Sequence, residues 1–597
     1  HQGQGDRFHN PYTFVPTPTR TEKVRRHPFA GDHNPLESGV DHSALHPDKF
    51  TGTLHFKMTA VTPLFLAKTP EDEEADNEHK TYDCVENIPP TAIKGMLRSA
   101  YEALTNSRFG VFNEEQHKKR LGLRLPAEAG TVPCRVYVKD GKKYLQLFCG
   151  ESFIGRDGKP VNNAGRPAPQ YAAWIPAYVS PRDLPPGHTT EHGKKVSACL
   201  VLCEHGAWKF WRVAAMGPLG SKLTPPRTLP RPGNRWGYVL EDGGEIFEQV
   251  EGFVVRSGKL IRNKHDERFF FNMFPDDVEP DVEVPALVEA EYNLLLEDYR
   301  TTHEGGACPP TEDTIEQGAH ITKAGKKLAH GDFVYATFSN ANQKNRQVTK
   351  IFPVQISRDL HDKSPFECLD RSLLPASSME EMSPADRLFG WVAPKGQGAW
   401  RGRLRVGAVT MSHPDKDGPH EQFKRPIPLA ILGAPKPAQA RFYLGGQDGH
   451  AQRKGLDKRS VGYSAGRQLR GRKVYWTPRG VVGNTAYWES PWEDRTNRDT
   501  DGHYQEYRQP GKKEETEKTK QNRSIKRWIK PGAEIRFSVK VENLALEELG
   551  CLLRIASLKD WAGKGAVLRI GMGKPLGLGC VKLELDPPSE GASVGRG

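Results

Sequence analysis

The sequence predicts an α+β fold: a ferredoxin-like (RRM-like) core interrupted by large insertions. Three observations carry that prediction. Four apolar blocks read in order as strand, helix, strands, helix, strands, the outline of a β-α-β-β-α-β module. The segments between them are polar and hold many of the chain's 47 prolines and 59 glycines. Near the end, "GMGKPLGLG" (571–579) sets four glycines and a lysine between two strand-like runs. A phosphate loop or dinucleotide fingerprint would open a helix there, so this loop joins strands.

The blocks justify themselves in order. "FTGTLHFKMTAVTPLFLA" (50–67) alternates and then runs apolar, as one or two strands do. In "IPPTAIKGMLRSAYEAL" (88–104), Pro89 and Pro90 bar the preceding residues from helix, and Thr91 is the expected N-cap. Ile93, Met96, Leu97, Ala100 and Leu104 then share a helical face, leaving Lys94 and Arg98 together at i, i+4. "RLFGWVAPKGQGAWRGRLRVGAVTM" (387–411) reads as an apolar segment, a turn and a strand. "AEIRFSVKVENLALEELGCLLRIASL" (533–558) reads as a strand, then a helix with Leu544, Leu546, Leu549, Leu552 and Leu553. Two strands flank the glycine loop, the second being "CVKLEL" (580–585).

The expected organisation is an N-terminal extension at 1–49 and core segments at 50–110, 381–410 and 531–597. A large insertion fills 111–380, and a basic, aromatic-rich one fills 411–530. The first insertion carries its own strand-like runs ("GEIFEQVEGFVVRSGKLI", "HDERFFFN") and a helical one ("VPALVEAEYNLLLEDYR"). "GKKEETEKTKQNRS" (511–524) is charged low complexity.

Composition narrows the function classes. No apolar run reaches the length of a membrane span and no signal-peptide pattern is visible. The nine cysteines form no C-x-x-C pair, which reads as a reduced, cytoplasmic protein away from membranes. His1 in first position predicts a native start further upstream. The net charge is +12, and residues 451–530 hold 20 Lys/Arg against 10 Asp/Glu with nine interleaved aromatics. Tyr475, Trp476, Trp488, Trp492, Tyr504, Tyr507 and Trp528 are among them. Cations for phosphates and rings for bases are the ingredients of single-stranded nucleic-acid binding; the alternative is a solvated surface whose aromatics belong to the core.

Five pieces in order resemble the RAMP superfamily of CRISPR-associated proteins, in particular the large Cas-seven-like backbone subunits of type III effector complexes. They are "HNPYTFVP" (9–16), "IPPTAIKGMLRSAYEALTNSRF" (88–109), "SPADRLFGW" with "RGRLRV", "GRKVYW" (471–476), and "ENLALEELGCLL" with "LRIGMGKPLGLG". They cover about a third of the chain and span both ends. Pro-Thr-Ala stands where the family usually has Gly-Ser-Ser.

The resemblance implies a subunit that holds guide RNA and faces its complementary single-stranded target RNA. Its protein partners would be other RAMP backbone subunits and the complex's large signature subunit. Gly571, Gly573, Gly577 and Gly579 would lie against RNA, with Lys574, Lys94, Arg98, Arg472 and Lys473 supplying charge. It further implies an endoribonuclease that uses a divalent cation such as Mg and an aspartate in the loop after the first strand. Here that loop is "TPEDEEADNEHKTYDCVEN". Asp76, heading an Asp-Asn pair, is the first candidate, with Asp83 and Asp72 behind it and His79 as an additional base. Acidic runs are also common on solvated loops with no chemistry.

Two further constellations stand beside it. Cys199, Cys203 and His205, with Cys149 and His192 upstream, are spaced either for Zn or as buried inert thiols. His27, His33, His42 and His46 could supply an acid–base pair for metal-free RNA cleavage. The sequence thus leaves three readings: a target-RNA nuclease, a non-catalytic structural guide-binding subunit, and a guide-RNA-processing endoribonuclease.

Overall fold

The computed structural model describes residues 12–586 apart from 40, 69–79, 113–116, 125–130, 149–152, 155–159, 162–170, 176–188, 190, 207, 228, 230–235, 257–267, 273–281, 305–326, 340–346, 356, 395, 397, 434–436, 446–459, 478–483, 489–504, 509–522 and 564. It is a mixed, strand-rich structure of the α+β kind. The chain divides into two compact units, one built from residues 1–119 and 363–597, the other from 120–362. No helix among the described residues is long and apolar enough to cross a membrane.

The elements of the first unit that position its site are, in chain order, β1 (Tyr12–Val15), β2 (Phe50–Ala60), α1 (Pro90–Leu104), β3 (Leu404–Ser412), β4 (Arg472–Tyr475), β5 (Glu534–Leu544), α2 (Leu546–Ala556), β6 (Leu568–Arg569) and β7 (Cys580–Leu585). Five of the strands form one sheet in the order β3-β5-β2-β7-β6, antiparallel at every step. The β2 residues Leu54, Phe56, Met58 and Ala60 are buried in strict alternation, as period-2 patterning requires of a sheet covered on one face.

The two helices contribute to the same core. Helix α1 starts at Pro90, one residue before the expected cap: Pro89 is extended, and Pro90 at the first helical position has no N–H to leave unsatisfied. Its buried face is Ile93, Met96, Leu97 and Tyr101. Leu104, expected on that face, is exposed, because the buried row follows i+4 steps from Ile93 and brings Tyr101 inward. Helix α2 buries Leu549, Leu552 and Ile555. Leu544 belongs to the preceding strand, and Leu546 at the helix start is exposed.

A second small sheet pairs His420–Leu429 with Arg523–Ile529, and the latter with Lys80–Tyr82. Trp488, Tyr507 and Trp528 are buried there, with rings 5.0–6.1 Å apart. These three of the expected base-stacking aromatics are therefore core residues. Trp492 and Tyr504 lie outside the described residues.

In the second unit, Val282–Glu283, Lys142–Leu147, Val132–Lys139, Phe333–Phe338 and Val348–Phe352 form one sheet. Val288, Tyr292 and Leu296 of the helix Ala286–Glu304 join its core. The other sheet runs Trp208–Gly217, Ala172–Trp174, Arg268–Phe271, Phe247–Val255, Lys195–His205 and Gly237–Tyr238. Lys195–His205 also pairs with Trp208–Gly217, closing five of those strands into a hydrogen-bonded ring.

Candidate nucleic-acid interface

Strands β1 and β4, drawn from pieces of sequence more than 450 residues apart, pair antiparallel with Tyr12 opposite Tyr475, Phe14 opposite Lys473 and Val15 opposite Arg472. Strand alternation sends neighbouring cations in opposite directions. Arg472 turns inward, where it pairs with Glu102 at 3.3 Å and donates to the Ser107 carbonyl. Lys473 is exposed, its ammonium 4.1 Å from the centre of the Tyr12 ring and 4.9 Å from that of Tyr475. Trp476, the next residue after β4, is 58% exposed.

The glycine loop lies beside this ribbon. Its four glycines all have positive φ, between 69° and 90°, a region that side chains disfavour. A Cβ would stand 2.5 Å from the Phe65 carbonyl oxygen at Gly571, 2.5 Å from Leu578 at Gly573 and 2.1 Å from the Ile570 oxygen at Gly579. The turn's own packing thus requires the glycines, whatever lies outside it. Backbone bonds from Met572 to Phe65 (2.7 Å) and from Gly579 to Pro63 (2.9 Å) dock the loop on the segment that follows β2. Gly573 is left-handed and Lys574 opens a short 3-10 turn. Their successive N–H groups donate to no acceptor among the described residues, an arrangement that suits an anion.

Arg569 on β6 ties loop and ribbon together. Its guanidinium donates to the carbonyls of Trp476 (2.9 Å), Lys574 (2.7 Å) and Leu578 (2.9 Å). All three are neutral acceptors, so none of these bonds offsets its charge. Burial, and then the nearby charges of Arg569 and Lys473, lower the ammonium pKa of Lys574. Among the described residues no carboxylate lies within ion-pair distance of Lys473, Lys574 or Arg569. Three cations, an exposed Trp476 and an exposed Met572 (54%) therefore share one surface. Sequence reading missed Arg569; its signal was an arginine two residues before a glycine turn, with no acidic residue from 561 to 583.

The remaining sequence candidates fall elsewhere. Arg98 is committed to the fold: it bonds Glu102 at 2.9 Å, Asp386 at 3.0 Å and the Gly390 carbonyl at 3.0 Å. Lys94, one turn earlier, has no carboxylate partner among the described residues. Asp72 and Asp76 lie outside the described residues. The chain on either side of them is pinned by the bridge of Ala67 to Cys84 and by the Lys68 N–H donating to the Asp83 carbonyl.

Asp83 itself accepts from Arg527 at 2.7 Å and from the Cys84 N–H at 2.8 Å, with Lys68 3.6 Å away. Burial works to raise its pKa, yet the Arg527 bond and charge bring it below the ordinary carboxylate value. A carboxylate already neutralised by two protein cations does not fit the role of a metal ligand.

Cys199 and Cys203 stand four residues apart on one strand, about 13 Å at ~3.3 Å per residue. Thiolates on one zinc lie about 4 Å apart, so the strand holds the Cys199, Cys203 and His205 set open. Burial raises both thiol pKa values, that of Cys203 to about 12. No group of three metal-ligating side chains gathers among the described residues. Cys149 lies outside them, and the His192 ring accepts from the Arg256 N–H.

The N-terminal histidines sit in separate surroundings. His27 accepts the N–H groups of Phe29 and Ala30. The pKa of His33 is lowered to about 4, first by burial and then by Arg387. The His42 ring faces Arg401 at 3.3 Å, and the His46 backbone N–H donates to the Asn543 side chain, while the ring Nε2 of each is buried with no hydrogen-bond partner among the described residues. No two of these rings share a hydrogen bond among the described residues.

No protein-family model matches this chain, and no curated protein matches it either.

Proposed function

We propose that the first unit is a ferredoxin-like RAMP core and that the protein is a guide-RNA-binding, Cas-seven-like backbone subunit of a cytoplasmic type III CRISPR effector complex. The observation that carries this reading is the cation cluster of Lys473, Arg569 and Lys574 beside Trp476, a cluster with no carboxylate partner among the described residues. It is built where three of the RAMP-like pieces meet: the N-terminal strip, the "GRKVYW" strand and the glycine loop. The sheet order supports it. Numbering only the module's own four strands, β2, β3, β5 and β7, the spatial order is 4-1-3-2 with α1 and α2 as the crossovers, which is how a split β-α-β module interleaves. Phosphates would meet Lys473, Lys574 and the N–H groups of Gly573 and Lys574, while a base stacks on Trp476. Lys94 would extend the phosphate path.

Cleavage of a complementary target RNA is the catalytic part of the proposal, and Asp76, with Asp72 behind it, is the carboxylate proposed to accept the ribose 2′-OH proton. A bound divalent cation such as Mg would supply compensation for charge building on the phosphorane. A non-catalytic structural subunit is the second reading, and the commitment of Asp83 to Arg527 favours it over a nuclease built on Asp83. The test is fluorescence anisotropy of the full chain with a labelled single-stranded RNA. Binding that weakens steeply with salt, and drops when Lys473 and Lys574 are both replaced by alanine, is expected. Affinity unchanged by that double substitution would overturn the interface.

A further inference from the structure

The second unit carries an aromatic surface that the proposed interface in the first does not use. Trp174 sits on the strand Ala172–Trp174 with Arg212 and Arg268 directly across from it on the two flanking strands. The Arg268 guanidinium lies 4.0 Å from the Trp174 ring centre and that of Arg212 lies 4.6 Å from the Trp236 ring. Phe210 fills the space between, 5.6 Å from Trp174 and 6.3 Å from Trp236, and Tyr238 meets Trp236 edge-on at 5.3 Å. The four rings and Arg212 are all partly exposed.

The inner side of these same strands is filled by Ala173, Leu200, Trp211, Val213 and Phe269, so the surface rings are not needed to close the core. Arg212 has no carboxylate within ion-pair distance among the described residues. The chain from 205 to 240, which supplies Phe210, Arg212, Trp236 and Tyr238, contains six Lys/Arg and no Asp or Glu; a carboxylate reaches the edge of the face from outside that stretch, Glu245 near Tyr238.

We infer that this face is a second binding site for single-stranded nucleic acid, with bases stacking on Trp236 and Trp174 and phosphates drawn to Arg212. Planar rings with guanidinium groups on a strand surface bind bases without regard to sequence, because every base offers a π-face. The charge decides the class of partner. A protein-binding aromatic patch gains nothing from 36 residues free of carboxylates, whereas a polyanion does.

The experiment uses the full chain carrying K473A, K574A and W476A, so that the first-unit interface is weakened and the second site is read through its own substitutions. Anisotropy with a fluorescein-labelled 12-mer of uridine should show residual, salt-sensitive binding accompanied by quenching of tryptophan fluorescence. Adding R212Q and W236A together should weaken it about tenfold or more. R212Q alone, at a side chain without an ion pair among the described residues, should lower the slope of log affinity against log salt by about 0.7. It serves as the readout should W236A lower the melting temperature. No residual binding in the background chain, or binding that neither substitution alters, overturns the proposal. So does self-association that R212Q and W236A abolish while RNA stays unbound, since that outcome gives the face to a protein partner.

Discussion

The Arg569 guanidinium donates to the Trp476 carbonyl at 2.9 Å, and through that bond a glycine turn near the chain's end is fixed to a strand almost a hundred residues earlier. The same side chain holds the carbonyls of Lys574 and Leu578. Its position makes Arg569 an organiser of the cationic surface as well as a member of it. Arg569→Gln is expected to weaken RNA binding more than its one charge explains, because the loop loses its tether. The check is the salt slope. A pure charge loss lowers it by about 0.7 for single strands, while a misplaced loop also lowers affinity at high salt, where counterion release counts for little.

Lys473 and Arg472 are neighbours with opposite assignments. Lys473→Ala should reduce RNA affinity at low salt and leave the melting temperature almost unchanged, since exposed charges contribute little to folding. Arg472→Ala should instead destabilise the first unit by about 2 kcal/mol, because it leaves Glu102 with Arg98 alone and removes the guanidinium donor of the Ser107 carbonyl in a half-buried setting. Arg98→Ala should behave like Arg472→Ala, as both converge on Glu102. Urea denaturation separates the two classes; an unchanged midpoint for Arg472→Ala would return that residue to the RNA path.

The sequence carried the core of the first unit well and its polar network poorly, for physical reasons. The alternation in β2 and the i+4 row of α1 come from local periodicity, so Phe56, Met58, Ile93 and Leu97 were legible as core. The pairing of Tyr12 with Tyr475 was not, because no local rule links residues so far apart; only the resemblance brought both strips into view. Trp488, Tyr507 and Trp528 looked like a stacking platform because composition reports that an aromatic is present and not which way it points. The charges of Arg98 and Arg472 were read as free for the same reason. An arginine in the sequence carries no mark of the carboxylate that folding will bring to it.

The glycine loop separates backbone demand from helix propensity. Gly579→Ala should destabilise by more than about 2 kcal/mol, since its φ is +84° and a Cβ would stand 2.1 Å from the Ile570 oxygen. Gly550→Ala, at an open position within α2, should stabilise by about 0.5–1 kcal/mol. If thermal melts show both substitutions moving stability in the same direction, the loop geometry described here is wrong.

The last prediction concerns which aspartate does chemistry. The Asp83 pKa is depressed on folding, so its contribution to stability is present above the unfolded value near 4 and is lost as pH falls through the lower folded value. Asp83→Asn should therefore cost about 1–2 kcal/mol at pH 7, and its melting curve should converge with that of the parent chain as pH falls through the lowered folded value. Target-RNA cleavage in the assembled complex should survive that substitution, because a carboxylate held by Arg527 and Lys68 is not available to a 2′-OH or a cation. Asp76→Ala should do the reverse: stability and RNA binding intact, cleavage down about a thousandfold, the loss that follows from several kcal/mol of transition-state stabilisation. Quenched single-turnover cleavage assays on both variants decide it. Cleavage abolished by Asp83→Asn in a chain that still melts normally would move the chemistry to the base of the loop. Cleavage untouched by Asp72→Ala, Asp76→Ala and Asp83→Asn alike would leave the first unit as a guide-binding scaffold.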